Sequence, residues 1–165
     1  MKTITINDIR SLNPCYDPKR YLPENWKGTL VDILEVNECP LKDRLWAVTR
    51  FLDDKIDKLF AVYCAREALK LIDNPDQRAV NVVDVAEKYA HGEATKEELE
   101  EARLAAYRAV CDATIDAVHQ DAYDAAYCAV YNTAYLAACA AIRAGVPEEK
   151  IVEKLQEMIS NKETK

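Results

Sequence analysis

The clearest hydrophobic signal lies in the second half of the chain, where small and apolar residues recur every four positions instead of alternating three and four. One row runs Arg103, Tyr107, Cys111, Ile115, His119, Tyr123, Tyr127, Tyr131, Tyr135. Beside it run Ala102, Ala106, Val110, Thr114, Val118, Ala122, Ala126, Val130, Ala134, and a third row of alanines from Ala105 to Ala129 interrupted by Asp121. The fourth row, Arg108, Asp112, Asp116, Gln120, Asp124, is polar. Four residues overshoot a helical turn by roughly 40°, so a row kept for many steps winds around its helix. One continuous helix over this stretch would be roughly 60 Å long, against a radius of gyration of about 15 Å for a compact chain of this size. The pattern therefore predicts a break near His119-Gln120-Asp121 and two antiparallel helices whose alanines allow close approach.

Upstream, the pattern reads as shorter helices. Lys2 to Ile6 alternate like a strand, but no second strand candidate is evident, so residues 1–12 are expected to form an extended or helical arm with a short helix from Asn7 to Leu12. Asp17 caps a turn opened by Pro18, and Thr29 to Leu34 has the length of a short buried helix. Pro40 starts a helix with Leu41, Leu45, Val48 and Leu52 on one face, for which Asp53-Asp54 reads as an acidic stop. Ile56, Leu59, Phe60, Tyr63 and Leu71 form the next stripe. Asn74-Pro75-Asp76 then supplies a cap, a proline and an acid for a helix carrying Val82, Val85, Ala86 and Tyr89, closed by His91-Gly92. Thr95 and Glu98 form a capping box that opens the alanine-rich region, residues 95–144. After Gly145-Val146-Pro147 comes a terminal helix, 147–160, with a tail from Asn161 expected to fray. The expected fold is all-α: a compact multi-helix bundle with an Ala/Tyr-rich helical hairpin, in a single domain over residues 1–165.

Composition adds exclusions. Half of the 165 residues are apolar, enough for a substantial core, and neither a signal-peptide run nor a membrane-spanning stretch is evident, so a cytoplasmic location is expected. The six cysteines form no Cys-x-x-Cys pair and read as reduced thiols. A net charge of −7 argues against nucleic acid, whose backbone needs surplus cations, and favours a basic protein partner. There is no Gly-rich phosphate loop, no zinc-binding His motif and no Gly-x-Ser-x-Gly elbow, so neither cofactor, metal nor catalytic residue is expected. Cys111 and His119, two turns apart on one ridge, are beyond direct hydrogen-bonding reach.

The residues open to a binding role are polar groups on apolar faces. Glu67 falls on the Ile56-Phe60-Tyr63-Leu71 stripe and Arg66 on the Leu59-Val62-Leu69 side, where a charge needs a partner. Arg44 and Arg50, around Trp46, could supply it across an antiparallel pair. The set reads either as a structural ion-pair network or as a pocket for a phosphate-bearing or carboxylate ligand with a stackable ring. Tyr123, Tyr127 and Tyr131 likewise read as core packing or as an aromatic wall. The acidic run Glu97-Glu98, Glu100-Glu101 reads as a solvated helix start or as a face for a basic toxin.

Several stretches together carry a family likeness: Asn13-Pro14-Cys15, Leu22 to Thr29 (Leu-Pro-Glu-Asn-Trp-Lys-Gly-Thr), Pro40 to Trp46, Leu59 to Leu69 and Gly92 to Thr95. Over most of its length the chain resembles a family of immunity proteins, of the immunity-five-like type, carried by bacteria and often by their phages. That family often places tryptophan where this chain has Tyr123, Tyr127, Tyr131 and Tyr135. The resemblance implies work in conflicts between bacteria, phages and toxins, with two mechanisms. One is an inhibitor that covers a bacterial toxin or defence effector protein. The other is a sponge that encloses a small nucleotide signal, with helices from one subunit or from a homo-oligomer. A structural or interaction module is the third reading.

Overall fold

The computed structural model describes residues 3–112, 117–131 and 133–163, without the side chains of residues 109–112, 117, 118 and 163. The chain groups into two compact units: Met1–Leu52 with Val152–Lys165, and Asp53–Ile151.

The first unit opens with strand β1, Ile4–Thr5, and helix α1, Ile6–Ser11, followed by a 3-10 turn at Pro18–Arg20, strand β2 at Lys27–Gly28, α2 at Leu30–Leu34 and α3 at Leu41–Thr49. The arm does have a partner: β1 pairs antiparallel with β2, Ile4 opposite Gly28 and Thr5 opposite Lys27. Two residues ending in glycine carry no alternation, which is why the partner is not visible as a strand. Glycine is required there because a Cβ on Gly28 would lie 2.5 Å from the Trp26 ring. Both short helices start in capping boxes, Thr5 with Asp8 and Thr29 with Asp32, each acid accepting from the cap residue's own N–H. Asp17 caps the 3-10 turn by accepting from the Lys19 N–H, as expected. Ile4, Ile6, Ile9, Leu34, Leu45 and Val48 are buried.

The second unit holds α4, Asp54–Leu69; α5, Gln77–His91; α6, Lys96–Asp112; α7, Ala117–Val130; and α8, Ala134–Ala144. Helix α9, Glu148–Glu163, starts in this unit and ends in residues of the first. It continues through Asn161 to Glu163, past the expected fraying point. Thus the fold is all-α, and among the described residues the two-residue pair β1/β2 is the only sheet.

Three punctuation marks shift. Asp53 does not stop α3; it caps α4 by accepting from the Ile56 N–H, because a carboxylate is favoured at the positive end of a helix. Asn74 adopts positive φ, and the cap of α5 is Asp76, which accepts from the Arg78 N–H. Since α4 ends at Leu69, Leu71 leaves the apolar stripe and is exposed. Gly92 and Gly145 close α5 and α8 at φ 76° and 112°, the left-handed conformation for which glycine is suited.

Among the described residues the alanine-rich region holds α6, α7 and α8, where the sequence predicts two helices. Residues 119–121, the expected break, are helical within α7. The connection between α6 and α7 at 113–116 lies outside the described residues, and a further break falls at 131–133. There the Cys128 carbonyl accepts from the N–H groups of Tyr131 and Thr133 and from the Thr133 hydroxyl, which ends α7. Asp121, early in α7, pairs with Arg143, late in α8, so these two form an antiparallel hairpin. Both helices pack on α4 as well as on each other, while α5 packs against α4, α6 and α7. Ala122, Ala125, Ala126 and Ala129 of α7, with Ala134, Ala137, Ala138 and Ala141 of α8, are at most 2% exposed. Side chains reduced to a methyl let helix backbones approach closely.

Candidate functional site

Sequence-derived candidates fall in both units. In the first, α3 presents Arg44 and Trp46, and Arg50 caps its C-terminal end. Arg44 Nη1 donates to the Leu34 backbone oxygen and, at 3.4 Å, to Asn37 Oδ1, while its Nε is buried and meets no acceptor. Arg44 borders a cavity lined also by Tyr16, Tyr21, Leu22, Ile33 and Cys39. The cavity offers only ≈ 10 Å³ to water centres, room for about one water molecule. That is far from the several hundred Å³ of an ordinary small-molecule site. Trp46 meets Tyr16 edge-on at 6.3 Å, and the Arg50 guanidinium lies 5.3 Å from the Trp46 ring centre. Burial, reinforced by Asp43, pushes the Cys39 thiol up to about 11 and the Tyr16 phenol further above its ordinary range. Both groups stay protonated at neutral pH, and a protonated thiol is a poor nucleophile.

In the second unit, Arg66 is exposed, and donates to Asp84 at 3.0 Å and Glu87 at 2.6 Å, both on α5. Glu67 is buried and accepts from Lys70 at 2.5 Å and from Lys150 just ahead of Ile151. Each of these charges thus has opposite charges within its own unit, and the partners are Asp84, Glu87, Lys70 and Lys150 instead of Arg44 and Arg50. Exposed pairs like those of Arg66 contribute about 0–1 kcal/mol.

Glu67 yields a pH signature. Burial works to raise its carboxyl, but the hydrogen bonds and charges of Lys150 and Lys70 outweigh it and hold the group below its ordinary 4.5. A carboxylate more acidic in the folded chain contributes stability that is full above the unfolded value and disappears as pH falls through the folded one. Urea midpoints of the wild type and Glu67→Gln should therefore converge as pH drops below about 4.5 and stay separated at neutral pH. A constant gap across that range would remove the carboxylate's charge from the account.

The tyrosine row divides because it winds. Tyr123 is 5% exposed, and its hydroxyl accepts from the Asp76 N–H at 2.9 Å, tying α7 to the start of α5. Two steps later, Tyr131 has rotated outward to 45% exposure. It gathers with Tyr127, ring centres 4.8 Å apart and hydroxyls 2.9 Å apart, while Tyr107 of α6 approaches Tyr127 at 6.3 Å. Arg103 lies 5.1 Å from the Tyr131 ring centre, donates to the Tyr131 hydroxyl, and is held in place by Glu100 at 2.7 Å. Leu104 and Tyr107, 51% and 54% exposed, continue this surface on α6, and Glu100 and Glu97 lie on the same helical face one and two turns before Leu104. The buried face of α6 is Leu99, Ala102 and Ala106, so the outward stripe is a consequence of which residues the core takes.

The sequence leaves Tyr127 and Tyr131 open between core packing and an aromatic wall, and does not mark Arg103, Leu104 and Tyr107 as members of one surface with them. The fourfold row did contain Arg103 and Tyr107; what it lacked was the fold that sets α6 beside α7. The arrangement offers aromatic faces, phenol hydroxyls, a positioned guanidinium and nearby carboxylates, which suits a surface for adhesion. Among the described residues no three His, Cys, Asp or Glu side chains gather to hold a metal ion, and no helix is long and apolar enough to cross a membrane. Compared with protein-family models, with curated proteins and with solved structures, the chain finds no match.

Proposed function

We propose that this protein is a non-enzymatic binding protein of bacteria–phage or toxin conflict, an immunity or counter-defence inhibitor that covers a bacterial toxin or defence effector. The observation that carries the reading is the open cluster of Arg103, Leu104, Tyr107, Tyr127 and Tyr131 beside Glu97 and Glu100. Tyrosine and arginine dominate the energetics of protein interfaces because they bury large area at small entropic cost while keeping polar contacts. Carboxylates around such a patch, on a chain of net charge −7, favour a partner with a basic face. The stretches that resemble immunity proteins point to the same class of partner. The sponge reading has less support: Arg44 borders a cavity of about one water, and Arg66 is engaged by two carboxylates.

The test is calorimetric titration of the purified chain with a panel of basic bacterial toxin domains and defence effectors, alongside thermal shift with nucleotides. Binding to one protein, weakened by salt and by about tenfold or more in Tyr107→Ala and in Tyr131→Ala, is expected. A protein partner insensitive to both substitutions would move the interface elsewhere. Nucleotide stabilisation without any protein partner would replace the inhibitor by the sponge.

A further inference from the structure

Arg44 holds a half-buried positive charge that no acid answers. Its Nη1 donates to the Leu34 carbonyl and, at 3.4 Å, to Asn37 Oδ1, both of them neutral, and among the described residues no carboxylate pairs with it. Asp43, one residue earlier on α3, is buried but makes no ion pair with it. The two bonds hold the guanidinium in place, and Nε is left enclosed without an acceptor. Buried N–H groups are nearly always paired, and a charge taken out of water needs a counter-charge to offset its lost solvation. Space for a partner lies alongside. Among the described residues, Arg44 is the only charged one on the wall of the ≈ 10 Å³ cavity. Ile9, Ile33 and Val36 supply carbon there, while Tyr16, Tyr21 and Cys39 supply neutral O–H and S–H groups. Room for about one water molecule excludes phosphate, sulfate and carboxylate ligands, so the occupant is the size of a single heavy atom. A water would answer the orphaned N–H and leave the charge uncompensated. A monatomic anion answers both, through a charge-assisted hydrogen bond about twice as strong as a neutral one. The chain's net charge of −7 opposes an anion from a distance, but at physiological salt that field is screened beyond about 8 Å, and the guanidinium in contact decides.

We propose that this cavity is a binding site for one halide ion, chloride under ordinary conditions, held by Arg44. The Nε–H donates to the ion, the guanidinium balances its charge, and the aliphatic wall keeps competing water away. Cys39 and Tyr16 both stay protonated at neutral pH, so neither brings a negative charge to the same wall. The wall draws on α1 through Ile9, on α2 through Ile33 and on α3 through Arg44, so the site exists only when these helices are packed together. An ion that binds the packed arrangement and not the unfolded chain stabilises the first unit by mass action. The site is separate from the aromatic surface of the second unit, and it holds or fails independently of the inhibitor reading.

The test follows thermal unfolding of the full chain as sodium chloride replaces sodium gluconate at fixed ionic strength, which holds general screening constant. The melting temperature should rise with chloride and level off as the site fills, and sodium bromide should act in the same way. Arg44→Gln keeps a hydrogen-bond donor without the charge and should flatten the curve. Lys42→Gln, which removes an exposed charge from the same helix, should leave its shape as in the wild type. A flat curve for the wild type, or an equal rise in Arg44→Gln, would overturn the proposal. Since Arg44 also bonds the Leu34 carbonyl, its variant could fold poorly, and a second readout uses the wild type alone: crystals soaked in sodium bromide should show an anomalous peak within hydrogen-bonding distance of Arg44 Nε. A water at that position, with bromide elsewhere or absent, would equally overturn it.

Discussion

Phe60→Ala should destabilise the protein by about 3–5 kcal/mol, the largest loss expected from a single side chain. Phe60 is fully enclosed in α4, the helix against which α5, α7 and α8 all pack. Removing the ring forfeits its transfer free energy and leaves a cavity that neighbours packed on several sides cannot collapse into. A domain of ordinary stability holds only about 5–15 kcal/mol in total, so the variant should unfold at a much lower urea concentration with an unchanged slope. A midpoint within error of the wild type would show that α4 is not the centre of this unit.

The second large effect runs the other way in volume. Ala137→Leu adds bulk to a seam made of methyl groups, where Ala137 and its neighbours Ala134, Ala138 and Ala141 are fully enclosed and the facing alanines of α7 are nearly so. Over-packing of this kind costs about 1–3 kcal/mol, and the upper end is expected because two helix backbones must separate to admit the side chain. Leu136, one position earlier and 49% exposed, provides the contrast: Leu136→Ala should change stability by no more than about 0.5 kcal/mol. Paired urea unfolding of the two variants therefore measures the hairpin's packing directly. Equal losses at 136 and 137 would mean that α8 presents a different face to α7 and α4.

Both effects stem from patterns readable along the chain, but not to the same depth. The alanine rows announced close helix approach, and α7 and α8 realise it. Placing the break at His119-Gln120-Asp121 was a different matter. Spacing alone says that a long helix cannot continue, not where it ends, and the described break at 131–133 depends on Thr133 folding back onto the Cys128 carbonyl. Asp53 shows the same ambiguity. An acid between two helices can end one or begin the next, and it begins the next because its carboxylate satisfies the Ile56 N–H.

The candidate site was legible only in part. Glu67 stood out as a charge on an apolar stripe, and it is buried; its partner Lys150 lies 83 residues further along the chain, beyond the reach of any local pattern. Arg66, on a neighbouring face, is exposed and meets carboxylates of α5 18 and 21 residues away. Tyr123 and Tyr131 occupy the same row, yet one is sealed against α5 and the other opens to solvent, because each step of four turns the row by roughly 40°.

Helix starts and stops at Asp17, Thr95 with Glu98, Gly92 and Gly145 could be read from residue order, since each depends on hydrogen bonds or backbone angles spanning only a few residues. The all-α class followed from periodicity for the same local reason. Which charges meet, where β1 finds its partner, and which tyrosines remain open with Arg103 were decided by packing between segments far apart in the chain. Such contacts form only when distant apolar faces are buried together, and residue order constrains that burial without naming the pairs.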